Sequence, residues 1–137
     1  MNVPLVPSPA TKWVMRQPEC AGLGIGYFGA STGAAAALIA SKDLQQVSGI
    51  VSRGGRPDLA LGILHQVKTP TLLIVGSLDT EVLQLNEEAF KLLSCDKKME
   101  IIPGATHLFE EKGAMERVCE IAADWFQLHL QPLQLHQ

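Results

Sequence analysis

At 137 residues the chain has the length of one compact domain, which buries roughly two-thirds of the surface that its unfolded form exposes. Only 18% of the residues are charged and the net charge is -3, which argues against a nucleic-acid partner because no basic surface is available for a phosphate backbone. The N-terminus lacks a basic leader and no stretch has the apolar length of a membrane span. No membrane partner is therefore expected. Three cysteines without metal-ligand spacing favour a reduced, cytoplasmic protein with no metal site.

The first predicted elements follow a proline-spaced N-terminal arm, residues 1–12. A helix is predicted over residues 11–17, where Pro18 limits it, and the glycine-spaced "GLGIGYFGA" (22–30) has the length of a buried strand. From Thr32 an alanine-rich run to Ala40 predicts a helix whose small side chains let it lie close to a sheet.

Three further strands alternate with helices in the rest of the chain. The strands are predicted at Val47–Arg53, at Thr71–Val75 and in "KMEIIPG" (98–104), and the helices at Pro57, at 81–93 and around Val118 and Trp125. Residues 131–137 are predicted to be a frayed tail. Four alternations predict an α/β fold: one domain over 1–137 with a mostly parallel sheet of about four strands and helices on both faces.

Three polar residues follow predicted strands, in the chain order Ser31, Asp79, His107. In open parallel sheets ligands bind at the carboxyl ends of the strands. Ser31 is the centre of a G-x-S-x-G motif, Gly29 to Gly33, whose glycines relieve crowding around a serine held in a strained turn. Catalytic roles are therefore predicted for all three. The alternatives are helix capping for Ser31 and Asp79, and a surface loop for His107.

Four stretches, "GYFGASTGAAAAL", "VSRGGRPDLA", "TPTLLIVGSLD" and "PGATHLFEEKGA", resemble the dienelactone-hydrolase-like branch of the α/β-hydrolase superfamily. The resemblance covers about residues 13–130 and corresponds to the C-terminal half of the fold. It implies a serine hydrolase of carboxylic esters without a cofactor, in which Ser31, Asp79 and His107 form the catalytic triad. Dienelactone-opening enzymes typically carry a cysteine where this chain has Ser31, so the resemblance implies the reaction class and not that substrate.

The resemblance also concerns the groups around the nucleophile. The N–H of Thr32 is expected to stabilise the oxyanion of the reaction, while the second donor usually comes from a loop upstream of the residues present, which predicts weak turnover. Arg53 and Arg56 follow the second strand and could bind an anionic substrate group, the alternative being a solvated loop. A dinucleotide site at Gly24, Gly26 and Gly29 is disfavoured, because the glycines lie within the strand.

Self-association is the remaining expectation. The residues before Trp13 are few and proline-spaced, which makes them a poor neighbouring strand. The strand that leads to Ser31 would then be an apolar edge, which soluble proteins rarely leave open. A homodimer is predicted there, with Trp13, Tyr27 or the final helix taking part. The alternative function is accordingly a catalytically silent fragment of the fold that serves as a homodimeric association module.

Overall fold

A four-stranded parallel sheet organises the part of the chain that the computed structural model describes, residues 25–42 and 47–130. The strands are β1 (Ile25–Ala30), β2 (Val47–Arg53), β3 (Thr71–Gly76) and β4 (Lys97–Ile102), and they neighbour one another in chain order. The register places Ala30 beside Arg53, and Arg53 beside Ile74. All four strands therefore end at the same edge, and the predicted parallel sheet is confirmed.

Helices cover both faces of this sheet. They are α1 (Thr32–Ser41), a 3-10 segment (Pro57–Gln66), α2 (Thr80–Leu92) and α3 (Ala114–His129). The first three are the crossovers between successive strands and pack on one another, as expected when right-handed connections all step in the same direction across a sheet. Helix α3 follows the last strand and covers the opposite face of β2, β3 and β4.

Two hydrophobic clusters, one on each face, form the core. Leu38, Ile50, Leu64 and Leu73 belong to the cluster under the crossovers, and Val51, Leu72, Ile74 and Trp125 to the cluster under α3. Every residue of β3 is buried, which explains why its sequence shows no alternation of polar and apolar residues. Each such aliphatic side chain stabilises the fold by about 1.5–3 kcal/mol, so β3 is the centre of the domain energetically.

The predicted boundaries agree with the structure to within about two residues where the structure describes them. Strand β2 matches residue for residue, while β4 begins at Lys97 rather than one residue later. The predicted helix over 11–17, the arm 1–12, Trp13, residues 22–24 and the tail 131–137 lie outside the described residues. Within the described ranges no helix has the length and apolarity needed to cross a membrane.

The structure does not favour one of the alternatives for the predicted homodimer interface. Tyr27, which was named there beside Trp13 and the final helix, is 7% exposed in the core cluster under the crossovers. Successive side chains of a strand point to opposite faces, so it is the neighbouring Phe28 that lies at the surface, 51% exposed.

Candidate active site

Ser31 lies in the turn between β1 and α1, in a backbone conformation that few residues other than glycine adopt. Its φ is 50° and its ψ is -124°, and α1 begins at the next residue. A non-glycine residue held at such angles costs on the order of 1–3 kcal/mol, which the surrounding structure must supply. Here the carbonyl of Ser31 accepts hydrogen bonds from the N–H groups of Ala34, at 3.2 Å, and Arg56, at 2.9 Å. The turn is thus held from two sides.

Crowding explains the first glycine of the motif but not the second. A Cβ atom on Gly29 would lie 2.6 Å from the carbonyl oxygen of Gly33 and 2.7 Å from the nitrogen of Ala34. A Cβ atom on Gly33 itself would meet nothing within 4 Å. The expected collision therefore exists at Gly29 only, where β1 and the first turn of α1 pass close together.

The structure brings Ser31, His107 and Asp79 into one hydrogen-bonded line. Ser31 Oγ lies 3.2 Å from His107 Nε2, and His107 Nδ1 lies 2.7 Å from Asp79 Oδ2. An ionised carboxylate can only accept, so Nδ1 carries the proton and its N–H donates a hydrogen bond to Asp79. That tautomer leaves Nε2 as the acceptor for the hydroxyl of Ser31. Asp79 is only 13% exposed, whereas His107 is 41% exposed.

The capping alternatives find no support in the contacts of these residues. Ser31 and Asp79 stand at the N-cap positions of α1 and α2, yet neither side chain makes a capping hydrogen bond. Both side chains point to His107 instead.

His107 lies in the loop after β4, and a carboxylate fixes this loop. Glu111 accepts hydrogen bonds from the N–H of Thr106, at 3.1 Å, and from its hydroxyl, at 2.6 Å. The Thr106 hydroxyl is the main reason that the pKa of Glu111 lies below its ordinary value. On the other side, Gly54, at φ 54°, lies so close that a Cβ atom there would be 3.4 Å from the imidazole ring. Sequence reasoning gave neither residue a role at the site: the contact of Gly54 joins segments distant in the chain, and that of Glu111 depends on the conformation of the loop.

Asn86, in α2, supports the loop after β2 on which the turn of Ser31 depends. It is fully buried, and its Nδ2 donates to the carbonyl of Gly55 at 3.0 Å and to that of Val82 at 2.8 Å. Gly55 precedes Arg56, whose N–H binds the carbonyl of Ser31. Asn86 therefore anchors the segment that holds the turn of Ser31. A polar residue on a buried helix face was the signal that could have identified it.

An open cavity of about 500 Å³ lies over Ser31 and His107. Its wall contains apolar groups from Leu78 and Val82 and charged groups from Arg56 and Glu81. The remaining lining residues are Ser31, Thr32, Asp79, Thr80 and His107.

The two predicted substrate-binding arginines differ in their placement. Arg53 lies with its guanidinium carbon 5.9 Å from the centre of the Phe109 ring, whereas Arg56 lines the cavity. Arg56 forms a bidentate ion pair with Asp58: Nε to Oδ1 and Nη2 to Oδ2 are both 2.9 Å. Of the two arginines, Arg56 is therefore the one that faces the cavity, and it does so as a partner of Asp58 rather than as an unpaired cation.

The described residues include no candidate metal site, and two of the cysteines are free thiols. Residues 25–42 and 47–130 contain no group of three or more His, Cys, Asp or Glu side chains placed to hold a metal ion. Cys95 and Cys119 are free thiols. Burial is the main cause that raises the pKa of Cys95, which keeps it in the unreactive protonated form.

Known proteins were compared with the chain by sequence and by structure. No protein-family model matches it. Two proteins of Mycobacterium tuberculosis, strains Oshkosh and H37Rv, are each 53% identical over 121 residues and carry the provisional name phosphoribosyl transferase. The alignment takes in 88% of this chain but 27% of each relative, so the chain spans about a quarter of their length.

Solved structures give the fold. A dienelactone hydrolase of Anabaena variabilis superposes with a TM-score of 0.91 at 46% identity, over 95% of this chain and 62% of that one. An esterase of Pyrococcus furiosus (TM-score 0.75, 17% identity) covers 93% of this chain and 62% of its own. A dienelactone-hydrolase-like phosphotriesterase from metagenomic libraries (TM-score 0.70, 19% identity) covers 89% of this chain and 59% of its own. The chain has an α/β-hydrolase fold, and its resemblance to the dienelactone-hydrolase-like branch is confirmed.

Proposed function

We propose that the protein is a serine hydrolase of carboxylic esters in which Ser31 is the nucleophile, His107 the general base and Asp79 the residue that orients the histidine. The observation that carries this proposal is the continuous line of contacts from Ser31 Oγ to His107 Nε2, 3.2 Å, and from His107 Nδ1 to Asp79 Oδ2, 2.7 Å. The strained turn at Ser31, which directs the hydroxyl into the cavity, is a second support.

The reaction follows from these contacts. His107 Nε2 takes the proton of the Ser31 hydroxyl as Oγ forms a bond to the acyl carbon. The tetrahedral intermediate collapses when the ester C–O bond breaks, and the imidazolium gives its proton to the departing alcohol oxygen. Water, deprotonated by the same nitrogen, then attacks the acyl-enzyme and releases the acid with regeneration of Ser31. Asp79 keeps the proton on Nδ1 and stabilises the imidazolium in both steps.

Thr32 is the proposed oxyanion donor. It is the first residue of α1 and lines the cavity beside Ser31. The positive end of the helix dipole lies there, so negative charge that develops on the carbonyl oxygen is stabilised next to the Thr32 N–H.

The similar structures support a hydrolase in general. The ester substrate and the serine nucleophile are our proposal, which the contacts among Ser31, His107 and Asp79 support. Dienelactone hydrolase and esterase are the activities in the names of two neighbours, of which this chain covers 62% each. The provisional transferase name belongs to proteins of which the chain covers 27%. We place the protein in a reducing, cytoplasmic compartment because Cys95 and Cys119 are free.

Hydrolysis of p-nitrophenyl acetate by the whole chain tests the proposal. Wild-type protein should release p-nitrophenol above the buffer rate, and Ser31→Ala should reduce the rate to background. Asp79→Asn should fold normally but lose activity by a factor on the order of 10⁴, because the imidazole is then held in the wrong tautomer. Equal rates for wild type and Ser31→Ala would refute the proposal and favour the association module.

A further inference from the structure

The cavity over Ser31 contains a cation whose charge is already balanced. Both guanidinium contacts of Arg56 to Asp58 are 2.9 Å, the planar bidentate geometry that an arginine otherwise offers to a substrate carboxylate. The hydrogen bond to Asp58 is the first cause that raises the pKa of Arg56, and Glu81 contributes further. Arg56 is therefore permanently charged, but the Nε–Nη2 edge, one of the two edges that can bind a carboxylate, is already paired with Asp58.

Carboxylates outnumber cations around the same cavity. Asp79 and Glu81 lie in its wall, and Asp58 is bound to Arg56, which also lies in the wall. Among the described lining residues and their partners, three carboxylates thus face one permanent cation, since His107 is neutral while it accepts from Ser31. A substrate carboxylate would enter a region of net negative charge and would be repelled.

The rest of the wall suits an uncharged group. Leu78 is 60% exposed and Val82 is half-buried, and both border the cavity. An aliphatic or aromatic part of a substrate that covered Leu78 would remove apolar surface from water, which stabilises the bound ester.

We propose that the site selects esters that are uncharged or cationic near the reacting carbonyl and discriminates against esters that carry a carboxylate. Asp58, which pairs with Arg56, and Glu81 are the residues that cause this discrimination. This rests on the proposed hydrolase function. Asp58 thus already binds one bidentate edge of the arginine for which an anion-binding role was expected.

Three aryl acetates that differ only in charge at the para position of the leaving group test this inference. They are para-acetoxybenzoate, its methyl ester and para-trimethylammoniophenyl acetate. Their rates differ intrinsically, so each kcat/KM is divided by the rate of the same ester with free imidazole. After this correction the wild type should hydrolyse the anion several-fold more slowly than the methyl ester and the cation at least as fast. Added salt should reduce the differences, because partly exposed charges are screened.

Two variants remove the charges that carry the inference. Asp58→Asn frees the fork of Arg56 and should raise kcat/KM for the anion about three- to tenfold relative to the methyl ester. Glu81→Gln should raise the same ratio about two- to fivefold, as expected for one exposed charge at this range. Glu116→Gln, an equal change of charge in α3 on the opposite face of the sheet, should leave the ratio unchanged.

The outcomes separate the two proposals. If hydrolysis depends on Ser31 but neither Asp58→Asn nor Glu81→Gln changes the anion ratio, the charge selection is wrong and the hydrolase stands. A wild-type protein that hydrolyses the anion faster than the methyl ester after correction also overturns the charge selection. If no ester is hydrolysed in a Ser31-dependent way, both proposals fail together. Glu81 is exposed, so its variant keeps the test valid should Asp58→Asn fail to fold.

Discussion

Substitution of Gly29 by alanine tests whether close packing of β1 against α1 sets the geometry of the candidate site. The new Cβ atom would lie 2.6 Å from the carbonyl oxygen of Gly33, and ordinary contact begins at 3.4 Å. The backbone of Gly33 and Ala34 must therefore shift away by about 0.8 Å, because the atoms that the new Cβ meets are main-chain atoms and not flexible side chains. Overpacking of this kind costs roughly 1–3 kcal/mol of the free energy of unfolding.

The same shift of the backbone would move Ser31, which lies between Gly29 and Gly33 in the chain. The 3.2 Å between Ser31 Oγ and His107 Nε2 leaves little room before the hydrogen bond is lost. A misplacement approaching 1 Å costs on the order of a hundredfold in turnover, so Gly29→Ala should lose activity by about that factor. Esterase rates and urea unfolding curves of the same preparations measure both effects.

Gly33→Ala is the matched control, since a Cβ atom there meets nothing within 4 Å. Gly33 lies in the first turn of α1, where alanine in place of glycine should stabilise the fold by roughly 0.5–1 kcal/mol. Its activity should stay near that of the wild type. The reasoning is refuted if Gly29→Ala retains wild-type stability and activity, or if the two variants are equally impaired.

Three further predictions concern other parts of the domain. Asn86→Ala leaves the carbonyl of Gly55 without its donor and should lower the free energy of unfolding by about 1–3 kcal/mol in urea titrations; an unchanged midpoint would contradict the anchoring role. Glu111→Gln should destabilise the fold at neutral pH. Because folding lowers the pKa of Glu111, this difference exists above its ordinary value of 4.5 and should disappear as the pH falls through the lowered value; persistence in acid would show that charge is not the cause. Phe28→Ser removes the exposed aromatic ring of β1 and should weaken the proposed homodimer in sedimentation velocity at micromolar concentration, whereas a wild type that is already monomeric would refute the dimer.

The sequence was sufficient for the four alternating strands and for the residues at their ends. Strand β3 was predictable because an unbroken apolar run occurs in a strand that is covered on both faces. Parallel strands bring their carboxyl ends to one edge, so the sequence alone predicts that Ser31, Asp79 and His107 are neighbours.

The charges around the site could not be predicted in the same way. Arg56 both lines the cavity and pairs with Asp58, and this pairing depends on side-chain rotamers, which no periodicity encodes. Likewise, an apolar strand without alternation does not reveal which face is covered, so the sequence could not show that Tyr27 is buried while Phe28 is exposed.

Support from distant residues was also invisible in the sequence. Asn86 binds a carbonyl 31 positions away. Such a contact exists only after the crossover helices have packed on one another, because α2 and the loop after β2 have no local relation.

Labelling with a fluorophosphonate tests the assignment of Ser31 most directly, since this reagent phosphonylates a serine hydroxyl only where a neighbouring base activates it. Intact-mass and peptide mass spectrometry of the labelled chain should show one adduct, located on Ser31. It should be absent from Ser31→Ala and should form far more slowly in His107→Ala. A wild-type chain that remains unlabelled, or one labelled at a serine other than Ser31, would contradict the proposed nucleophile.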